Sequence, residues 1–223
     1  MVDKSSGYSS TIGTAKTAIV FNLAGDRQAI ISSVHAQVSS KPLPQRVSFI
    51  GPVELNSESQ ANIRSIAIEI IYRLLNSLGI ETPDYQISIT TPGAISSQDA
   101  TLQVEGFSAE LPILMAMASA ALQIPISQDI VFTGHIASAD GNMSQVSGLP
   151  DKLKAAIDDP LSAEFIYPSI EIDQSLKALT PLEYKKIKKA IDESHSDIHA
   201  VGVKDIADVI AAVFDEDDIL YPA

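Results

Sequence analysis

Cysteine and tryptophan are both absent from this chain of 223 residues, and Tyr and Phe contribute only six residues each. With no thiol there can be no cysteine nucleophile, zinc-thiolate centre or disulfide, a composition that suits a reducing compartment. Positive charge is scarce as well: 15 Lys and Arg face 28 Asp and Glu, for a net charge of −13. Nonspecific affinity for nucleic acid comes from Lys and Arg displacing counterions along the phosphate backbone, so no nucleic-acid partner is expected. Long apolar runs are also missing. The longest, Leu111 to Leu122, falls short of the roughly 20 residues that cross a bilayer and reads as a buried core helix, so no membrane partner is expected. Met1 to Lys16 is rich in Ser, Gly and Thr and lacks the apolar stretch of a signal peptide, which points to the cytoplasm.

The residues that are present suffice for a folded core: 45% are hydrophobic and 19% charged, far from the composition of disordered chains. Residues 1–16 read as a flexible lead-in. Thr17 to Asn22 and Gln28 to Val38 are dense in β-branched residues around a Gly25-Asp26 turn, which predicts a strand pair, and Val47 to Ile50 predicts a third strand. From Ser57 to Leu78 the apolar residues Ile63, Ile66, Ala67, Ile70, Ile71, Leu74, Leu75 and Leu78 recur with helical period, and Gly79 supplies a stop. Tyr85 to Thr91 alternates as a strand, and Pro92 to Ala100 reads as a loop. Further on come a helix over Ala109 to Leu122, a strand over Ile130 to Thr133, a turn at Asp140-Gly141-Asn142 and a helix from Asp151. A strand over Glu164 to Tyr167, a Lys-rich helix over Leu182 to Glu193, a strand over Ile198 to Val203 and a helix over Lys204 to Phe214 complete the series. Strands and helices mix without a strict βαβ repeat, which predicts one α+β domain over residues 17–214 with an acidic tail over 215–223.

Three fragments carry the chemistry: Glu105-Gly106-Phe107-Ser108-Ala109, Phe132-Thr133-Gly134-His135-Ile136, and Val146 through Ala156, which contains Lys152. Ser108 follows a glycine turn and heads an apolar helix. In that place a hydroxyl can lie beside free backbone N–H groups suited to a developing oxyanion, or it can simply cap the helix. Lys152 can act as a base only where burial leaves its amine neutral, and its neighbours Leu149, Leu153, Ala155 and Ala156 are apolar enough to provide that burial. A solvated lysine on a helix surface is the alternative.

The order and spacing of these fragments resemble the proteolytic domain of the Lon family. There the serine sits in an acidic-Gly-x-Ser-Ala motif, and the lysine follows at a comparable separation inside a Gly-Leu-x-x-Lys-Leu-x-Ala-Ala segment. The likeness runs from about Thr17 to Phe214 and takes in Glu58-Ser59, Thr91-Pro92-Gly93-Ala94 and Asp197-Ile198-His199 with Val201. It implies the α+β Lon proteolytic fold (ribosomal protein S5 domain 2-like), with short mixed strands and about five helices. It also implies a Ser108–Lys152 dyad that hydrolyses peptide bonds in unfolded or flexible polypeptides, with no cofactor. Thr133 matches the threonine that orients the lysine, Glu105 matches the acidic position before the serine, and the backbone at Phe107 and Ala109 would form the oxyanion site. An ordinary strand threonine and a loop charge are the alternatives for Thr133 and Glu105. A homo-oligomer, in this family a hexameric ring, follows from the same resemblance, as does a possible separate AAA+ subunit.

Two positions depart from the family pattern. Phe107 stands where Lon has Pro or Asp, and Glu110 where it has a small or hydroxyl residue. Glu110-Leu111-Pro112-Ile113 instead looks like the run that opens the equivalent helix in magnesium-chelatase-like AAA+ proteins, where the serine is lost. An inactive Lon-like module for assembly or partner binding is the alternative function. Gly7 to Thr17 fails the spacing of a phosphate-binding loop. His35, His135, His195 and His199 show no metal-ligand spacing and read as isolated structural histidines, so no metal is expected. Lys185-Lys186-Ile187-Lys188-Lys189 reads as a solvated face.

Overall fold

The computed structural model describes residues 10–23, 26–92, 102–104, 106–170, 181–194 and 197–214. The chain opens with β1 (Ser10–Thr11), turns at Gly13 and enters β2 (Thr14–Leu23), which pairs antiparallel with β3 (Asp26–Val38). Next come β4 (Val47–Ile50), β5 (Val53–Leu55) and α1 (Ser57–Asn62), which continues through a π turn (Ile63–Ala67) into α2 (Ile68–Ser77). β6 (Tyr85–Thr90) and β7 (Leu102–Val104) precede α3 (Glu110–Leu122). Four short strands follow: β8 (Ile126–Ser127), β9 (Ile130–Phe132), β10 (His135–Ile136) and β11 (Met143–Ser144). The chain then runs through α4 (Leu149–Asp158), β12 (Glu164–Pro168), α5 (Pro181–Ser194), β13 (His199–Val203) and α6 (Ile206–Val213).

Seven of the strands form one mixed sheet in the order β13-β12-β9-β2-β3-β6-β4. β13, β12, β9 and β2 are parallel neighbours, β3 runs antiparallel to β2 and β6, and β4 lies parallel to β6. This mixed arrangement is compatible with the α+β class. The β9-α4-β12-α5-β13 run does form successive parallel crossovers, a local regularity that the irregular spacing of apolar segments conceals.

Helices cover both faces of the sheet, so its central strand is buried on both sides. From β2, Ala15, Ile19 and Phe21 pack with α2 and α3, whereas Ala18 packs against Leu149, Leu153 and Ala156 of α4. α3 is apolar around its whole circumference, and every residue from Glu110 to Ala120 is buried, as such a helix requires. Residues 10–16, expected as a lead-in, instead form β1 and the start of β2, with Ala15 fully enclosed. Small side chains carry little pattern, and their place in the sheet comes from pairing with β3, β8 and β9. The Gly25-Asp26 turn, the loop after Pro92, Glu105 and the acidic tail over 215–223 lie outside the described residues, wholly or in part.

Local signals act where the periodicity places them. Asn56 Oδ1 accepts the Ser59 N–H at 2.8 Å to cap α1, and Asp205 Oδ1 accepts the Asp208 N–H at 3.0 Å to cap α6. At the end of α2, Gly79 at φ +72° donates to Asn76 O while Ile80 N–H reaches Leu75 O, the paired bonds of a Schellman motif. Gly13, at φ +68°, wedges between β3 and α3, where a Cβ would stand 2.4 Å from Ala36 O.

These two glycines separate conformational strain from steric strain. Gly79→Ala meets no atom within 4 Å and should lose about 1 kcal/mol from the left-handed backbone alone. Gly13→Ala adds a clash with a backbone carbonyl and should lose at least about 2 kcal/mol. Urea denaturation of both variants measures the difference.

Candidate active site

The site begins with a turn. Gly106, at φ +79°, leads the chain from β7 into α3, and Glu110 N–H closes the turn on Phe107 O at 3.1 Å. The segment then runs beside the end of β9. Gly134 N–H donates to Ser108 O at 3.0 Å, Leu111 N–H donates to Gly134 O at 3.2 Å, and Ala109 pairs in parallel with Gly134. A Cβ on residue 134 would sit 2.3 Å from Met143 Cε and 3.1 Å from Leu111 Cβ, so glycine is what permits this approach.

Ser108 is 4% exposed and does not cap the helix: α3 starts at Glu110 with Ala109 in the cap position and no side-chain capping bond. The capping role open to this serine is therefore not the one it takes. Lys152 is 2% exposed. It lies in the stripe Leu149, Lys152, Leu153 and Ala156, the buried face that α4 turns to the sheet, and is not a solvated surface lysine. That sheet face includes Val131, and Thr133, two residues further on, alternates to the same side. The Ala109–Gly134 pair brings the Ser108 segment alongside the end of β9, and the Glu110 side chain reaches His135. α4, with its buried Lys152, packs on β2, β3 and α5.

Thr133 is fully buried, and its N–H donates to Ile166 O at 2.9 Å. Its hydroxyl has no hydrogen-bond partner, so the bond to the lysine implied by the resemblance is not made in this structure. Glu105 lies outside the described residues. Among the described residues no grouping of His, Asp and Glu suits a metal ion.

The strongest polar centre is one that pattern reading missed. Glu110 is 0% exposed, yet its carboxylate accepts from His135 Nδ1 at 2.7 Å, Ile136 N–H at 3.1 Å, Asn62 Nδ2 at 2.8 Å and Ser59 Oγ at 3.3 Å. Asn62 Nδ2 also donates to Ile136 O at 3.0 Å. This carboxylate ties α1, α3 and β10 together behind Ser108. His135 is therefore not an isolated structural histidine, and its ring packs on Phe107 with centroids 4.5 Å apart. The available signal was a single acid opening a run of apolar helix residues. Its partners lie up to 51 residues away in sequence, beyond the reach of local pattern.

α4 is pinned at its far end. Lys16 Nζ meets Asp159 Oδ2 at 2.5 Å, and Ser162 Oγ meets the same oxygen at 2.5 Å. Burial by itself would raise the Asp159 carboxyl, but these donors outweigh it and hold the group below its usual range.

No family model matches the sequence. Lon protease 2 of Bacillus subtilis (strain 168) is 31% identical to the chain over 90 residues, or 40% of this chain and 15% of that protein. The chain thus aligns with only about 15% of the length of this curated relative. The match relates part of the chain to a Lon protease at low identity.

Two outcomes follow from the geometry. Glu110→Ala strands buried donors from two elements, α1 and β10, and should cost about 3 kcal/mol in a denaturant titration. A carboxyl held low in the folded state stabilises above its unfolded pKa of about 3.9 and loses that contribution as pH falls through the folded value. Asp159→Asn should therefore lower the urea midpoint at pH 7, by an amount that shrinks as pH falls below about 3.9.

Proposed function

We propose that this chain is a Lon-like serine peptidase in which Ser108 is the nucleophile and Lys152 its general base. The observation that carries the reading is a lysine buried in the apolar stripe of α4 together with a buried Ser108 that caps no helix. Water-poor surroundings disfavour an ammonium and so favour the neutral amine that a base must be.

In the proposed reaction the neutral Lys152 amine takes the Ser108 proton as Oγ attacks the substrate carbonyl. Backbone N–H groups about Phe107 to Ala109 meet the oxyanion. The Glu110 N–H is already spent on Phe107 O and does not contribute. Collapse of the tetrahedral intermediate breaks the C–N bond, Lys152 returns the proton to the leaving amine, and water then hydrolyses the acyl-enzyme. In this reading Thr133, whose hydroxyl is buried and makes no hydrogen bond, orients the amine. The substrates are unfolded or flexible polypeptides bound as an extended strand, and the working form is a ring of copies beside a separate AAA+ subunit. In this reading residues 17–214 form the peptidase unit, which works in the cytoplasm without a cofactor.

The second reading is an inactive Lon-like module for assembly, favoured by the acidic-Leu-Pro-Ile run at Glu110. Incubation with a denatured casein-like protein decides between the two. The peptidase reading expects Ser108→Ala and Lys152→Ala each to lose more than about a thousandfold in kcat/KM, with folding unchanged by circular dichroism. Equal turnover in all three proteins refutes the dyad.

A further inference from the structure

Phe107, which adjoins Ser108 in the chain, packs on His135, and His135 is bonded to a group with no exposure of its own. Glu110 also takes the Ile136 N–H, the Asn62 amide and the Ser59 hydroxyl, and an ionised carboxylate can only accept. Its contact with His135 Nδ1 is the shortest of the four, at 2.7 Å. That bond fixes the imidazole plane, and the Phe107 ring lies on it at 4.5 Å with an interplanar angle of 33°. His135 keeps 24% of its side chain exposed and Phe107 is half-buried, so the pair is open to solvent on one side. Glu110 and Phe107, the two departures from the Lon motif, thus meet through one imidazole. Elsewhere among the described residues the exposed large apolar side chains, such as Leu161 and Leu182, lie on separate elements and belong to no such fixed arrangement.

We infer that the Phe107–His135 ring pair is a specificity subsite that receives a large apolar or aromatic side chain of the substrate residue adjoining the scissile bond, with Glu110 as its positioning residue. This rests on the peptidase reading. The rings are flat, weakly hydrated and fixed before substrate arrives, so an incoming aromatic side chain gains contact area without ordering the platform. A carboxylate side chain gains nothing there and would lose hydration.

The test uses the full chain and peptides matched except for Phe, Ala or Asp on either side of the scissile bond. Wild type should cleave the Phe peptide with kcat/KM about tenfold above the Ala peptide, and lower still for Asp. In Phe107→Ala the Phe-to-Ala ratio should fall to near one, whatever the absolute rate. Glu110→Gln, which keeps the volume but loosens His135, should lower the ratio severalfold. A purely structural role would depress all peptides alike and leave the ratio intact, which would overturn the inference. Binding is measured separately with Ser108→Ala, which should hold the Phe peptide about tenfold tighter than the Ala peptide and lose that preference when Phe107→Ala is added. Binding preference without any cleavage by wild type removes the peptidase reading and keeps the subsite. Cleavage without preference removes the subsite and keeps the peptidase, and absence of both removes the two together.

Discussion

The contact between Ala109 and Gly134 joins the start of the central helix to the end of a sheet strand, and every feature of the candidate site is referred to it. Two main-chain hydrogen bonds hold it, from Gly134 N–H to Ser108 O and from Leu111 N–H to Gly134 O. A Cβ on residue 134 would displace the tip of Met143 and crowd Leu111. With the two segments side by side, the Glu110 carboxylate reaches His135 and Ile136 of β10.

Burying charge this close to a core helix is costly unless each group is satisfied or neutral. Glu110 meets that demand with four donors drawn from α1 and the β10 segment. The π turn follows Asn62 directly, in a helix whose Asn62 amide bridges Glu110 and Ile136 O. Lys152 is buried in an otherwise apolar stripe of α4. One polar centre thus secures the loop that carries Ser108.

Much of the secondary structure was legible because it follows from local rules. The helical period from Ile63 to Leu78, the stop at Gly79 and the strand at Val47 to Ile50 all lie where residue pattern places them. The early start of β2 was not legible, since Gly13, Thr14 and Ala15 carry no periodic signal and are placed by their partners on β3 and α3. The short strands β5, β7, β8, β10 and β11 escaped for the same reason: two or three residues hold too little pattern to read. Ser108 and Lys152 could be singled out in sequence by residue type and neighbours, whereas Glu110 looked like a mere departure from a motif.

The amino-acid order by itself determined the longer helices and strands and that α3 must be enclosed, because these depend on neighbours a few residues apart. Only the tertiary structure decided that Ser108 is not a cap, that Lys152 is enclosed, that the Thr133 hydroxyl is left without a bond, and that Glu110 and His135 form one unit. Each of those outcomes depends on which face of one element meets another, and side-chain identity sets that only after the whole sheet and both of its helical layers have packed.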